Sequence, residues 1–125
     1  MSATPNLGIA LLQQAQSLKY VTVNDAFDAF DGAIAGVFTQ AMANANQTPS
    51  TPTAMENMVF KCTGALTANR ELILPNSPKL YVIHNLTTGG FSIVVQTASP
   101  SATVTVGSGA QLVYCDGANN FYAVA

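Results

Sequence analysis

Few side chains in this sequence carry the chemistry of catalysis, and their spacing brings them no partners. His84 is the one histidine, at the end of the apolar run Leu80-Tyr81-Val82-Ile83 and just ahead of a turn. A nucleophilic dyad would need Cys62 or Cys115 beside it, and neither lies in a motif of that kind. His84 therefore reads as a strand-end residue with a satisfied hydrogen bond. The two cysteines form no C-x-x-C pair and have no histidine at zinc spacing. They read as buried reduced thiols packed as small hydrophobes. A disulfide clasping two strands, or a bridge across subunits, is the alternative. Asp25, Asp28 and Asp31 stand at i, i+3 and i+6. Neighbours at that spacing share a helix face and could hold a hard cation or do acid–base work. Acids that offset a helix dipole on a solvated face are the simpler reading. Gly107-Ser108-Gly109 resembles part of a phosphate loop, but it precedes a strand and lacks the Lys-Ser/Thr sequel. Asn85-Leu86-Thr87 matches a glycosylation sequon, which without an export signal is a chance match. No catalytic residue, metal or cofactor is expected.

The composition points away from several function classes. Only 8% of the 125 residues are charged, while 49% are hydrophobic. Average soluble chains carry about 25% charged residues. The surface must then be covered by neutral polar side chains or by another copy of the chain. The four basic residues, Lys19, Lys61, Arg70 and Lys79, are scattered and the net charge is -2. No basic stripe exists for phosphates or for an anionic membrane, so nucleic acid is not an expected partner. The start has no basic region followed by a long apolar one, so no secretory signal is read. No apolar stretch is long enough to insert in a bilayer as a helix.

Two unlike halves must position these residues. Leu7, Leu11, Leu12, Ala15 and Leu18 recur at helical spacing and predict a short helix. Tyr20-Val21-Thr22-Val23 reads as extended, with Asn24 as the N-cap of a stronger helix. That second helix carries Phe27, Phe30, Ile34, Val37, Phe38 and Ala41 in one stripe. Gly32 and Gly36 lie inside it, each costing about 1 kcal/mol relative to Ala, so it needs a surface to dock on. Residues 43–56 read as a linker with prolines and no large apolar run. From residue 57 onward, short apolar runs recur between Gly, Pro and Asn signals. They predict strands near 57–63, 70–74, 80–85, 91–97, 103–106, 111–115 and 121–124. Thr87-Thr88-Gly89-Gly90 reads as a hairpin turn between the third and fourth. The fold class is α+β: a helical attachment or oligomerisation segment over 1–42, a linker over 43–56, and a small antiparallel β-sandwich or barrel-like domain over 57–125.

Several strands are apolar on both faces, more than a domain of this size buries alone. Phe27, Phe30, Ile34, Phe38, Leu80, Val82 and Val94 are therefore the candidate self-association surface. A carbohydrate-binding module, suggested by the Asn- and Thr-rich β half, is weakened by the absence of Trp.

Two sets of residues carry a resemblance. The run Thr4-Pro5-Asn6-Leu7-Gly8, Leu12, Gln16, Lys19, Val21-Thr22, Asn24-Asp25-Ala26 and Asp31 resembles the opening T-P-x-L-G-x-x-x-L-x-x-x-Q-x-x-K-x-V-T-x-N-E-A-x-x-x-L-D of a family of tailed-phage and gene-transfer-agent structural proteins. Asp25 replaces the usual Glu and Phe30 the usual Leu. Arg70-Glu71-Leu72-Ile73-Leu74-Pro75, Tyr81-Val82-Ile83-His84-Asn85, Gly89-Gly90-Phe91 and Tyr114-Cys115-Asp116-Gly117 follow, in order, a pattern similar to tail-fibre and other virion β-domains. The resemblance implies a non-enzymatic virion protein assembled in the bacterial cytoplasm. It further implies a homotrimer with other tail, baseplate or capsid proteins as partners. A tail-fibre or baseplate adaptor is the first expectation and a capsid decoration or head-fibre protein the alternative, with a host-surface glycan as a further candidate partner.

Overall fold

Alternation decides which side of each strand goes inside. The computed structural model describes residues 3–14 and 16–124. Helix α1 spans Lys19–Ala35 and runs through the single residue Gly36 into strand β1, Val37–Ala41. A five-residue helix α2, Thr51–Met55, is capped by Ser50, whose hydroxyl accepts from the Thr53 amide at 3.3 Å. The remaining strands are β2 (Val59–Thr63), β3 (Arg70–Ile73), β4 (Lys79–Asn85), β5 (Ile93–Gln96), β6 (Val104–Val106), β7 (Gly109–Cys115) and β8 (Phe121–Ala123). They form a five-stranded sheet in the order β1-β2-β4-β7-β8 and a three-stranded sheet in the order β3-β5-β6.

The chain winds before it folds back. β2 lies parallel to β1, β4 parallel to β2, and β5 parallel to β3. Gln47 bridges Leu72 in parallel, which places the segment after β1 beside β3. Each rung therefore repeats after roughly 23 residues, as Val59 facing Val82 and Arg70 facing Ile93 show. β6, β7 and β8 then close the two sheets with antiparallel pairs.

One core serves both sheets. Phe60, Cys62, Tyr81, Ile83, Val113, Cys115 and Phe121 come from the five-stranded sheet, and Leu72, Ile93, Val95, Val104 and Val106 from the other. Phe38, Phe60, Tyr81 and Phe121 form a row of rings with successive centroids 5.7, 5.9 and 6.1 Å apart. The α+β class holds. The all-antiparallel expectation does not, because parallel pairing comes from winding and no local turn signal announces it.

Four other expectations change. The helix predicted over Leu7–Leu18 is absent among the described residues; Ala15 lies outside them, and Ala3 instead bridges Ala10. Tyr20–Val23 is helical, and α1 starts after Leu18 in the left-handed region with no side-chain cap, so Asn24 caps nothing. The helix stops at Ala35 because Gly36 is extended, and Val37–Ala41 joins the sheet. Finally, β4 and β5 are no hairpin: they lie in different sheets. Gly89 and Gly90 have φ of +109° and +77°, and a Cβ on Gly89 would collide with the carbonyl of Leu66. Their loop rests on the loop of the preceding rung, with Thr88 donating to Gly64 and Leu66 donating to Thr88, each at 2.9 Å.

Register separates the two thiols. Cys62 faces Asn85 at one end of β4 and Cys115 faces Lys79 at the other. Six residues of strand span about 20 Å, far beyond disulfide reach. Burial pushes the Cys62 thiol up to about 12 and raises that of Cys115 as well. Neither thiol is expected to react with a disulfide reagent at pH 8 in the folded protein, and both are expected to react in denaturant. Rapid labelling of either in the native state would contradict this.

Candidate functional site

Helix α1 turns the usual arrangement around. Its half-buried positions are mostly small: Thr22, Ala26, Ala29, Gly32 and Ala33. Its large apolar side chains point outward. Phe27 is 65% exposed, Phe30 47%, Ile34 74% and Tyr20 64%, and no residue of the helix is buried. A free amphipathic helix on a globular protein does the reverse, burying the bulky stripe.

The small face explains the glycines. A Cβ on Gly32 would collide with the Glu56 carbonyl oxygen. One on Gly36 would stand 2.7 Å from Oδ1 of Asn57 and 2.8 Å from that same Glu56 oxygen. The Gly36 carbonyl also accepts from the amides of Met58 and Val59 at 2.9 and 3.0 Å. The C-terminal end of α1 is thus seated backbone to backbone on the turn between α2 and β2. Gly32→Val is expected to lift the helix from this seat and cost about 2 kcal/mol, seen as a lower urea midpoint and loss of amide protection in α1. An unchanged midpoint would remove this account of the glycine.

The outward face of the five-stranded sheet continues the apolar surface. Register aligns Val37, Val59, Val82 and Leu112 across four strands, and the Val124 amide, just past the end of β8, donates to the Leu112 carbonyl at 2.8 Å. One step along, exposed Leu80 faces Tyr114, which faces Tyr122 at a ring separation of 5.5 Å. Helix and sheet meet in a groove of about 410 Å³ lined by Leu7, Ala33, Ile34, Met58, Pro78 and Leu80, together with Asn6 and Lys79. Lys79 donates to the Asn57 carbonyl at 2.6 Å, and burial lowers its ammonium to about 8.

Of the seven residues expected at a self-association surface, Phe27, Phe30, Ile34, Leu80 and Val82 lie on this connected helix-and-sheet face. Phe38 does not: it points inward and packs on the core beside Phe60. Val94 alternates with buried Ile93 and Val95, so it lies on the outward face of the other sheet. Tyr114, Tyr122, Leu112 and Val37 were missed. The register of β7 on β8 sets the exposed tyrosines Tyr114 and Tyr122 opposite one another.

The residues with chemical potential are dispersed. His84 faces Lys61 and Ala110 on the outer sheet face, while Cys62 is buried on the inner one. Asp25 and Asp28 line a groove of about 380 Å³ with Glu56. Among the described residues no three His, Cys, Asp or Glu side chains gather as a metal site. Among those residues no helix is long and apolar enough to cross a membrane.

The motif residues have structural tasks. Asn85, buried, donates from Nδ2 to the carbonyls of Phe91 and Val106, both at 3.1 Å, and its Oδ1 accepts from the Thr87 amide at 3.1 Å. It ties the two sheets together. Asp116 accepts from Ala118 and Asn120 in the β7–β8 turn, which holds its carboxyl below the usual range. Arg70 donates to Asn44 from Nε at 3.2 Å and from its terminal nitrogen at 2.9 Å, fastening the loop after β1.

Comparison with protein-family models, with curated proteins and with solved structures gave no match.

Proposed function

We propose that the chain is a non-enzymatic structural protein of a bacteriophage particle, a homotrimeric tail-fibre or baseplate adaptor assembled in the host bacterial cytoplasm. In this reading the two sheets form a small sandwich and α1 is the attachment and oligomerisation element. One observation carries it: the large apolar side chains of α1 and of the adjoining sheet face lie outside the single chain. Contiguous apolar surface of that size marks an interaction site. The low content of charge supports the same reading, since interface cores are depleted of charged residues. The N-terminal and β-domain motifs, which resemble those of virion proteins, supply the particle as the setting.

Purified particles of the phage that encodes the chain test this directly. Antibody labelling should mark the tail or baseplate, with a few to a few tens of copies per particle. A capsid decoration protein would use the same self-association surface and be present in hundreds. Particles that lack the chain altogether would overturn the reading.

A further inference from the structure

The outward residues of α1 are spaced as a coiled-coil seam. Tyr20, Val23, Phe27, Phe30 and Ile34 follow one another at steps of three, four, three and four. That is the a/d pattern in which side chains of one helix fill holes formed by a like helix. All but half-buried Val23 are exposed. We infer that α1 pairs in parallel and in register with the α1 helices of further copies through this seam, while its small-residue face stays on its own β-body. The inference rests on the self-association proposed above and specifies its geometry.

Three features of the molecule select a second copy as the occupant. A heptad seam is complementary to itself, so the helix that fits it best carries the same spacing. Its area is adequate: with about 200 Å² for a fully exposed large side chain, the four exposed seam residues plus Val37 and Leu80 present roughly 700 Å² per chain. A standard interface buries about 800 Å² per partner. The apolar surface is also continuous at one end only. Ile34 shares a groove with Leu80, and exposed Val37, in β1 just beyond the end of the helix, opens the outward row of the sheet. Parallel helices bring these body residues together along with the seam. Antiparallel helices would send the bodies to opposite ends and leave Leu80 and Val37 in water. Three copies around one axis also admit no other orientation.

The helix itself needs this partner. At 17 residues with an internal glycine at Gly32, it is barely long enough to hold its shape in water. Among the described residues no side chain of the helix is buried on its own body, where the close seat is at Gly32 and Gly36.

Disulfide trapping in the full chain tests the geometry, the native thiols being buried. Ile34→Cys and, separately, Tyr20→Cys mark the two ends of the seam. Asp28→Cys, exposed on the helix but off the seam, is the control. After mild oxidation each seam variant should run mostly as a disulfide-linked pair on a non-reducing gel, and the control mostly as single chains. Cross-linking only when the Tyr20→Cys and Ile34→Cys chains are mixed would establish antiparallel helices and overturn the inference. Failure of both seam variants to cross-link, in a protein that light scattering shows to be oligomeric, would also overturn it and leave self-association standing. Failure in a protein that is monomeric by scattering would remove both.

Discussion

Asn85→Leu should lower the stability of the protein by about 4 kcal/mol, the largest effect expected of any single polar residue. The Asn85 amide is buried and makes bonds in two directions at once. Its Nδ2 group supplies protons to the carbonyls of Phe91 and Val106, and its oxygen takes those of Thr87. Leucine has similar bulk but meets none of these groups. Each buried polar group left without a partner costs about 1–3 kcal/mol, and the two carbonyls lose theirs together. The urea midpoint should fall with little change in slope at fixed protein concentration. Thr87→Val, which removes a single hydroxyl, should cost only about 1 kcal/mol. Equal midpoints for the Asn85→Leu and parent proteins would show that the two sheets are held together in some other way.

The double variant Phe27→Ser/Phe30→Ser should separate the assembly into folded single chains. Both rings are exposed on the isolated chain, so removing them costs the fold little. In the proposed assembly they lie at the middle of the α1 seam. Burying the exposed part of each ring is worth about 1–2 kcal/mol, or about 3 kcal/mol per chain, and that loss is multiplied by the number of copies. Dissociation at micromolar concentration follows, since 1.4 kcal/mol is tenfold in affinity. The β-sheet signal in circular dichroism should persist while helical signal declines, because α1 loses its partner. An oligomer of unchanged mass would place the interface elsewhere.

Much of the β half was legible because strand formation leaves a local trace. Short apolar runs bounded by Gly, Pro and Asn place β2 to β8 within a few residues of where they lie. The helix from Asn24 to Ala35 was legible for a similar reason. β1 was not, because Val37, Phe38 and Ala41 happen to continue the three-and-four spacing of the helix stripe. The signals that mark the break are Gly36, extended at the C-cap, and the strand-forming residues after it. The α2 segment was hidden inside a stretch rich in Pro, Thr and Asn. Yet Ser50 capping with Pro52 in the first turn is a helix start, and Ala54 and Met55 belong to the core.

Pairing was the less legible level. Gly89-Gly90 announces positive φ, which a hairpin and a loop stacked on its predecessor both use. Only the close approach to the Leu66 carbonyl separates the two, and that contact reaches across a whole rung. The candidate site was legible for the same residues whose periodicity was, namely Phe27, Phe30 and Ile34. Phe38 was misplaced because it follows Gly36, where the helical count no longer applies. The surplus of apolar strand residues pointed to self-association, and the register of the sheet shows which outward residues align with one another.

Sedimentation equilibrium of the unmodified chain over a range of micromolar concentrations tests most directly whether copies of this molecule cover its apolar face. The expected result is a particle of three times 13.0 kDa that resists dilution. A well-behaved species of 13.0 kDa at every concentration, with Phe27 and Ile34 left in water, would contradict it.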